Sequence, residues 1–327
     1  MGRSLQPLPD ALGAAFTAAE ARAIGLSSRR LNHDDVTRIA GGLYVRARIL
    51  DEAAPAVERP AATVQRRLVV SALALGSKLP PEVFFSHRTA AAIWGLPLPA
   101  VPDTKLEIAR FAPASGPRRS GLQSRSVRPH LARVVTHRGV RVTDPASTWA
   151  MLAPQLSLRD AVALGDAAIH HRRIPGTLRL ERPALALLEE LRHLASFRRP
   201  GAGLLRKILP LLSRQCASAP ETHLRLALQE WTLPPFTLDH DVYDSAGRLL
   251  GCSEIAFPEY RLALEYEGSH HLTDPQQWDR DIEKYSDYSK IGWEVIRVTS
   301  RLLYQRPMEL RDTIIDALQR KGWRMEK

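Results

Sequence analysis

A chain of 327 residues exceeds what one ordinary hydrophobic core serves, so two or three domains are expected, and a hydrophobic fraction of 44% means that most of it folds. Lys and Arg number 46 against 35 Asp and Glu, a formal charge of +11 that favours polyanionic partners such as nucleic acid, although a solvated surface is an ordinary use of the same surplus. Cys216 and Cys252 stand in no metal-ligand spacing and no run reaches the roughly 18 apolar residues of a membrane span, which argues against a disulfide scaffold, a thiolate zinc site and a membrane protein. With no apolar signal segment in MGRSLQPLPDALG, a cytoplasmic location is expected.

Over residues 1–50, Thr17 and Glu20 have the capping-box spacing of a helix start, and Gly25 closes that helix. Ser27 or Ser28 can cap a second helix carrying Arg29 and Arg30, after which TRIAGGLYVRARI predicts a hairpin turning at Gly41 and Gly42. Helix, turn, basic helix and hairpin outline a winged helix-turn-helix. Such a unit directs Arg29, Arg30 and Asn32 to a DNA groove and sets Arg38, Arg46 and Arg48 near phosphates. A small helical domain with solvated arginines has the same pattern.

An Ala/Pro-rich connector near 51–60 leads to an α+β middle region, 61–198, that opens on a helix around VQRRLVVSALALG. In FFSHRTAAAIWGLPLP, Ser86 caps a helix that stops at Gly95 and Pro97, and His87 reads as a structural or capping residue. From Arg110 to Arg141 there is no acidic residue, while Arg118, Arg119, Arg125, Arg128, Arg133 and Arg138 accumulate. That stretch either tracks a phosphate backbone or forms a solvated face. Helical periodicity returns in DPASTWAMLAPQLSLRDAVALGDAAIHH, where His170 and His171 complement the negative end of the helix. A polar linker with Pro200 and Gly201 follows.

Residues 216–327 read as helix, three strands, helix, strand and helix, which is a mixed sheet flanked by helices. The second and third strands, LLGCSEIAF and RLALEYEG, form a hairpin about Pro258 and Glu259 that sets Glu254 opposite Glu265. Alternation along the strand turns Glu265 and Glu267 the same way, so three carboxylates crowd one patch. Crowded carboxylates raise one another's pKa and persist where a cation or shared proton neutralises them. Oxygen-only ligands suit Mg²⁺ or Mn²⁺; three solvated glutamates at an exposed strand end are the plainer alternative. Asp281 and Lys284, three apart, share a helix face, as a phosphate-directed pair or as a surface ion pair.

The strings PETHLR, GRLLGCSEIAFPEYRLALEYEGSHH and QWDRDIEKYSDYSKIGWEVIRVT, with the closing helix, resemble a family related to the very-short-patch-repair endonuclease, of the restriction-endonuclease-like PD-(D/E)XK fold. FTAAEARAIGLSSRRL, GGLYV, FSHRTAAAIWGLPLP and VRVTDPASTWAML resemble AbiEi-like antitoxin and winged-helix regions, and together the two likenesses span nearly the whole chain. The resemblance implies a multidomain α/β protein acting on DNA. Glu254 and Glu265 would be its metal acids, Glu221 would complete the site, and Glu267 would take the place where other nucleases of this fold carry lysine. It further implies a role for His271, less surely His270, as general acid or phosphate contact, and for Lys284, oriented by Asp281, in place of the absent strand lysine.

Two departures bear on activity: Glu254 stands where aspartate is usual, and the strand lysine is missing. The expected function is therefore a Mg²⁺- or Mn²⁺-dependent DNA endonuclease in repair or phage defence. The alternative is a DNA-binding regulator or antitoxin-like protein, with a partner protein of its own, that keeps the nuclease fold as scaffold. RNA as substrate stays open, as does the oligomeric state.

Overall fold

The computed structural model describes residues 7–51, 60–99, 105–268 and 275–324, with backbone alone at 51, 60, 61 and 275–281. Strand β1 (Ala15–Thr17) runs into helix α1 (Ala18–Ala23). Its start is the expected capping box: Thr17 Oγ1 accepts the Glu20 N–H at 3.1 Å while Glu20 Oε2 accepts the Thr17 N–H at 2.7 Å. Strands β2 (Val36–Ala40) and β3 (Leu43–Arg46) form the predicted hairpin over Gly41 and Gly42, and β1 joins it in the order β1-β3-β2. Gly42 has φ 73°, the left-handed conformation such a turn requires.

No basic helix stands between α1 and the hairpin. There is only a 3₁₀ turn, Arg30–Asn32. Arg30 is 8% exposed and its guanidinium grips Asp35 with two bonds of 2.7 and 2.6 Å, which turns the chain into β2 before a helix can develop. Arg46 is equally buried, donating to the carbonyls of Gly13 at 2.9 Å and Pro9 at 2.7 Å. Arg30 and Arg46 therefore hold the fold and do not face a DNA groove. Arg29, Asn32 and Arg38 are exposed.

Beyond short helix α2 (Ala47–Asp51), helix α3 (Pro60–Leu75) precedes strand β4 (Phe84–Phe85) and helix α4 (His87–Trp94), which ends on Gly95 at φ 72° as its sequence predicts. Strands β5 (Leu106–Phe111), β6 (Leu122–Val127), β7 (Val134–His137) and β8 (Val140–Thr143) complete a mixed sheet of order β6-β5-β4-β8-β7. Its core joins Leu75, Phe85, Ile93, Ile108 and Val142 to Leu43 of the hairpin, so residues 1–50 and the middle region share one hydrophobic centre. Helix α5 (Pro145–Leu152) starts at Asp144, whose Oδ1 accepts the Ser147 N–H at 2.8 Å.

Helix α6 (Leu158–Ile169) and the short strands β9 (Arg172–Arg173) and β10 (Leu180–Arg182) belong to a second unit, whereas helices α7 (Leu188–Ser196) and α8 (Ala202–Ile208) return to the first. The units are Met1–Leu156 with Leu188–Leu209, and Ser157–Leu187 with Pro210–Lys327. Sequence alone put 157–187 in the middle region. What draws α6 to the C-terminal segment is Asp166, 0% exposed, which accepts from Arg225 and Thr222 of helix α9 (Ala219–Glu230), each at 2.8 Å.

In the second unit β11 (Thr237–Tyr243), β12 (Leu249–Phe257) and β13 (Leu262–Glu267) form an antiparallel meander. Helix α10 (Pro275–Lys290) then crosses to β14 (Glu294–Thr299), parallel to β13, and α11 (Pro307–Arg320) closes the unit. The hairpin of β12 and β13 turns through Pro258–Tyr260, as expected. Ile255, Phe257, Leu262 and Leu264 pack on Leu224 and Leu228 of α9 and Ile314 and Leu318 of α11. The opposite face, with Val242 and Ala263, packs on Tyr288 of α10. The molecule is thus a mixed α/β protein with more than one sheet, and among the described residues no helix is long and apolar enough to cross a membrane.

Candidate functional site

The ladder between β12 and β13 ends at the pair Ile255↔Leu264, and Glu254 and Glu265 are the next residues on either side. At this point β12 changes faces: Ile255 enters the core beside α9, whereas Ser253 Oγ meets the Tyr288 hydroxyl of α10 at 3.1 Å. On the neighbouring strand Asp239 takes φ 52°, uncommon for a residue with a side chain, between the pairs Leu238↔Ile255 and His240↔Ser253. The local irregularity interrupts strict alternation and gathers polar groups where the strands part.

Each carboxylate is held separately. Glu254 Oε2 accepts the Tyr266 N–H at 2.7 Å. Glu265, 8% exposed, accepts from Lys284 Nζ at 2.7 Å, and the same ammonium donates to the Cys252 carbonyl at 2.7 Å. Glu221, in the first turn of α9, accepts the Ala217 N–H at 2.8 Å. Burial, with the charges of Glu221 and Glu265 added, pushes Glu254 well above the usual carboxylate range. Burial likewise raises Glu221, against its hydrogen bonds from Ala217 and Ser218, and Glu265 and Asp239 add to the rise. Three acids from α9, β12 and β13 thus share one electrostatic field.

The trio differs from the one alternation predicts. Glu267 is outside it, engaged by the Arg297 guanidinium through both carboxylate oxygens. Arg297 is the register partner of Glu265 on β14, and a long side chain there reaches the next acid on the same face. Lys284 reaches the site, donating to Glu265. His270 and His271 lie outside the described residues, as does the side chain of Asp281.

A second polar cluster was missed. Arg173 of β9 clasps Asp241 at 2.6 and 3.0 Å and reaches Asp239 at 2.9 Å, and the Cys252 thiol donates to Asp239 at 3.0 Å. Its signal in sequence is the alternating acids of LDHDVYD, but nothing local points to an arginine more than sixty residues earlier. It places another charge cluster beside the glutamates, with Asp239 common to both.

Among the described residues, no group of three or more His, Cys, Asp or Glu side chains is arranged to hold a metal ion. The chemistry of the donor set still fits a hard divalent cation. All three are carboxylates, each accepts from a protein donor, and two are raised first by burial and then by neighbouring carboxylates whose charge a cation would relieve.

No family model matches the chain. The uncharacterized proteins Rv2248 and MT2308, from two strains of Mycobacterium tuberculosis, are each 26% identical to it over 191 residues. The match covers 58% of this chain and 66% of each relative, just under two thirds of their length.

Proposed function

We propose that the second unit is a divalent-metal-dependent nuclease of the restriction-endonuclease-like fold, and that it acts on DNA. One observation carries the reading: Glu254 and Glu265 stand where β12 and β13 part, within the field of Glu221, with the Lys284 ammonium on Glu265. Glu254 and Glu265, with Glu221 beside them, would hold Mg²⁺ or Mn²⁺. Bound there, the ion would lower the pKa of its water and polarise a phosphoryl oxygen.

The chain's own groups divide the remaining work. The Tyr266 N–H fixes one oxygen of Glu254 and leaves the other for a ligand. Lys284 donates to Glu265 and sits where an ammonium can meet a phosphate oxygen, the duty that a lysine two residues after the second acid performs in other nucleases of this fold. In this chain Glu267 occupies that strand position and is engaged by Arg297, so the cation comes from the helix instead. The exposed Arg29, Asn32 and Arg38 of the hairpin region, together with the exposed Arg118, Arg119 and Arg138, would supply a polar, basic surface for the DNA backbone.

A second reading, a DNA-binding regulator or antitoxin-like protein with an idle nuclease fold, is favoured by the ready neutralisation of Glu265 by Lys284. Supercoiled plasmid incubated with the protein and Mg²⁺ or Mn²⁺, beside Glu265→Ala, separates the two. Nicking by the natural protein alone supports the nuclease. Retarded plasmid with no cleavage in either metal supports the regulator, and a parallel single-stranded RNA substrate tests the nucleic acid.

A further inference from the structure

The first unit contains a cavity of about 1160 Å³. His87 at the start of α4, Arg125 on β6, Arg128 just beyond it, and Arg198 and Arg199 between α7 and α8 all line it. Among the described residues no carboxylate lines it. The nearest acid in the hydrogen-bond network, Glu107, is 3% exposed and already engaged, one oxygen by Arg125 at 3.1 Å and the other by the Arg88 N–H at 2.8 Å. Among the described residues one carboxylate therefore stands against four guanidinium groups.

Three details show donors awaiting an acceptor. Arg125 Nε is enclosed and has no hydrogen-bond partner, a costly state for a buried N–H. The side chains of Arg128 and Arg198 are exposed and, among the described residues, make neither a hydrogen bond nor an ion pair. His87 is 6% exposed and held at φ 47°, a conformation that a residue with a side chain adopts at a cost. Its Nδ1 lies 2.9 Å from Ser86 Oγ; with that nitrogen accepting, Nε2 carries the proton and is the donor left to the ring. Burial, then the charges of Arg125 and Arg199, push its pKa down to about 3, so the ring is neutral at physiological pH and adds no further repulsion.

Leu131, Met151 and Pro154 supply an apolar wall to the same cavity. A bare phosphate would leave that wall uncovered, and the volume, somewhat above the roughly 300–1,000 Å³ of small-molecule pockets, has room for a whole organic ligand. We propose that this cavity binds a nucleotide-type phosphate, the guanidinium groups and His87 taking the phosphate and the apolar wall the base. The phosphate belongs either to a free nucleotide or to the 5′ end of a nucleic-acid strand. The planar fork of arginine matches two phosphate oxygens at once, which a surface of scattered cations does not.

The test uses the full chain in EDTA, so that no metal at the carboxylates contributes. ATP is titrated calorimetrically, and a fluorescein-labelled single strand with a 5′-phosphate is compared with its 5′-hydroxyl form by anisotropy. Arg128→Ala/Arg198→Ala removes two side-chain cations with no partner to lose, and Arg182→Ala/Arg324→Ala removes equal charge from exposed positions elsewhere. The expected result is a phosphate-dependent affinity that falls at least tenfold in the first pair and holds in the second. Binding of ATP identifies a nucleotide pocket; binding of the 5′-phosphorylated strand alone identifies a strand-end pocket. The proposal is overturned if neither probe binds in a phosphate-dependent way, if Arg128→Ala/Arg198→Ala leaves affinity unchanged, or if both variant pairs weaken it equally.

Discussion

Lys284 and Glu265 meet at 2.7 Å across the gap between α10 and β13, with side chains 17% and 10% exposed. Removing one partner of so enclosed a pair leaves the other charge poorly compensated. Lys284→Met should cost about 3 kcal/mol in urea unfolding. Mg²⁺ should restore more stability to Lys284→Met than it adds to the natural protein, because the cation then takes over the lost charge. Equal Mg²⁺ responses would argue against a shared cation site.

Glu254 gives a pH dependence of definite sign. Its folded-state pKa lies above the ordinary value, so the folded protein binds the extra proton, and its stability contribution is complete below about pH 4.5. That contribution drains away as pH rises through the elevated folded pKa. Glu254→Gln should therefore be the more stable protein at pH 8 in the absence of metal, the gain vanishing near pH 4 and reversing when Mn²⁺ is added at pH 8. Thermal melts across that range decide it.

His87 predicts the opposite slope. Its pKa falls from 6.5 to about 3 on folding, so stability is complete above pH 6.5 and is lost as pH falls toward 3. The loss is about 1.4 kcal/mol per pH unit within that window. His87→Gln should flatten this part of the profile, a difference read by urea unfolding at pH 7, 6 and 5. A slope unaltered by the substitution would mean the ring accepts a proton in the folded chain.

Asp166 anchors α6 to α9 through Arg225, Thr222 and the Ser213 N–H, with the carboxylate fully buried. Asp166→Ala should cost about 3–5 kcal/mol, since it strands the Arg225 guanidinium, 4% exposed, inside the unit. Asp166→Ala/Arg225→Met should recover much of that loss. A double variant as unstable as the single one would place the cost in packing rather than charge.

How legible the fold was depends on whether a residue's part is local. The strands LLGCSEIAF and RLALEYEG and the closing helix could be read from alternation and end signals, and β12 has the predicted bounds. Glu254 and Glu265 followed from the hairpin turn. Arg30 and Arg46 could not be placed, because arginine looks the same in a sequence whether it meets solvent or a buried acid; only Asp35, five residues on, hinted at the first pairing. Glu267 misled because alternation gives a side chain's face, not its partner. Glu221 enters the trio through resemblance alone, while the link from Arg173 to Asp239 and Asp241 has no local trace.

The two-way threading of the backbone carries a consequence for anyone dividing this polypeptide. Because 157–187 belong to one unit and 188–209 to the other, each is assembled from two separate stretches. A scissor placed at the inviting Pro200–Gly201 linker would take α6 away from α9 and leave the Arg225 guanidinium without its anion, so a fragment starting there would arrive already wounded. Shorter versions meant to isolate the glutamate-bearing half should begin at Ser157 and bridge the excursion with a designed loop.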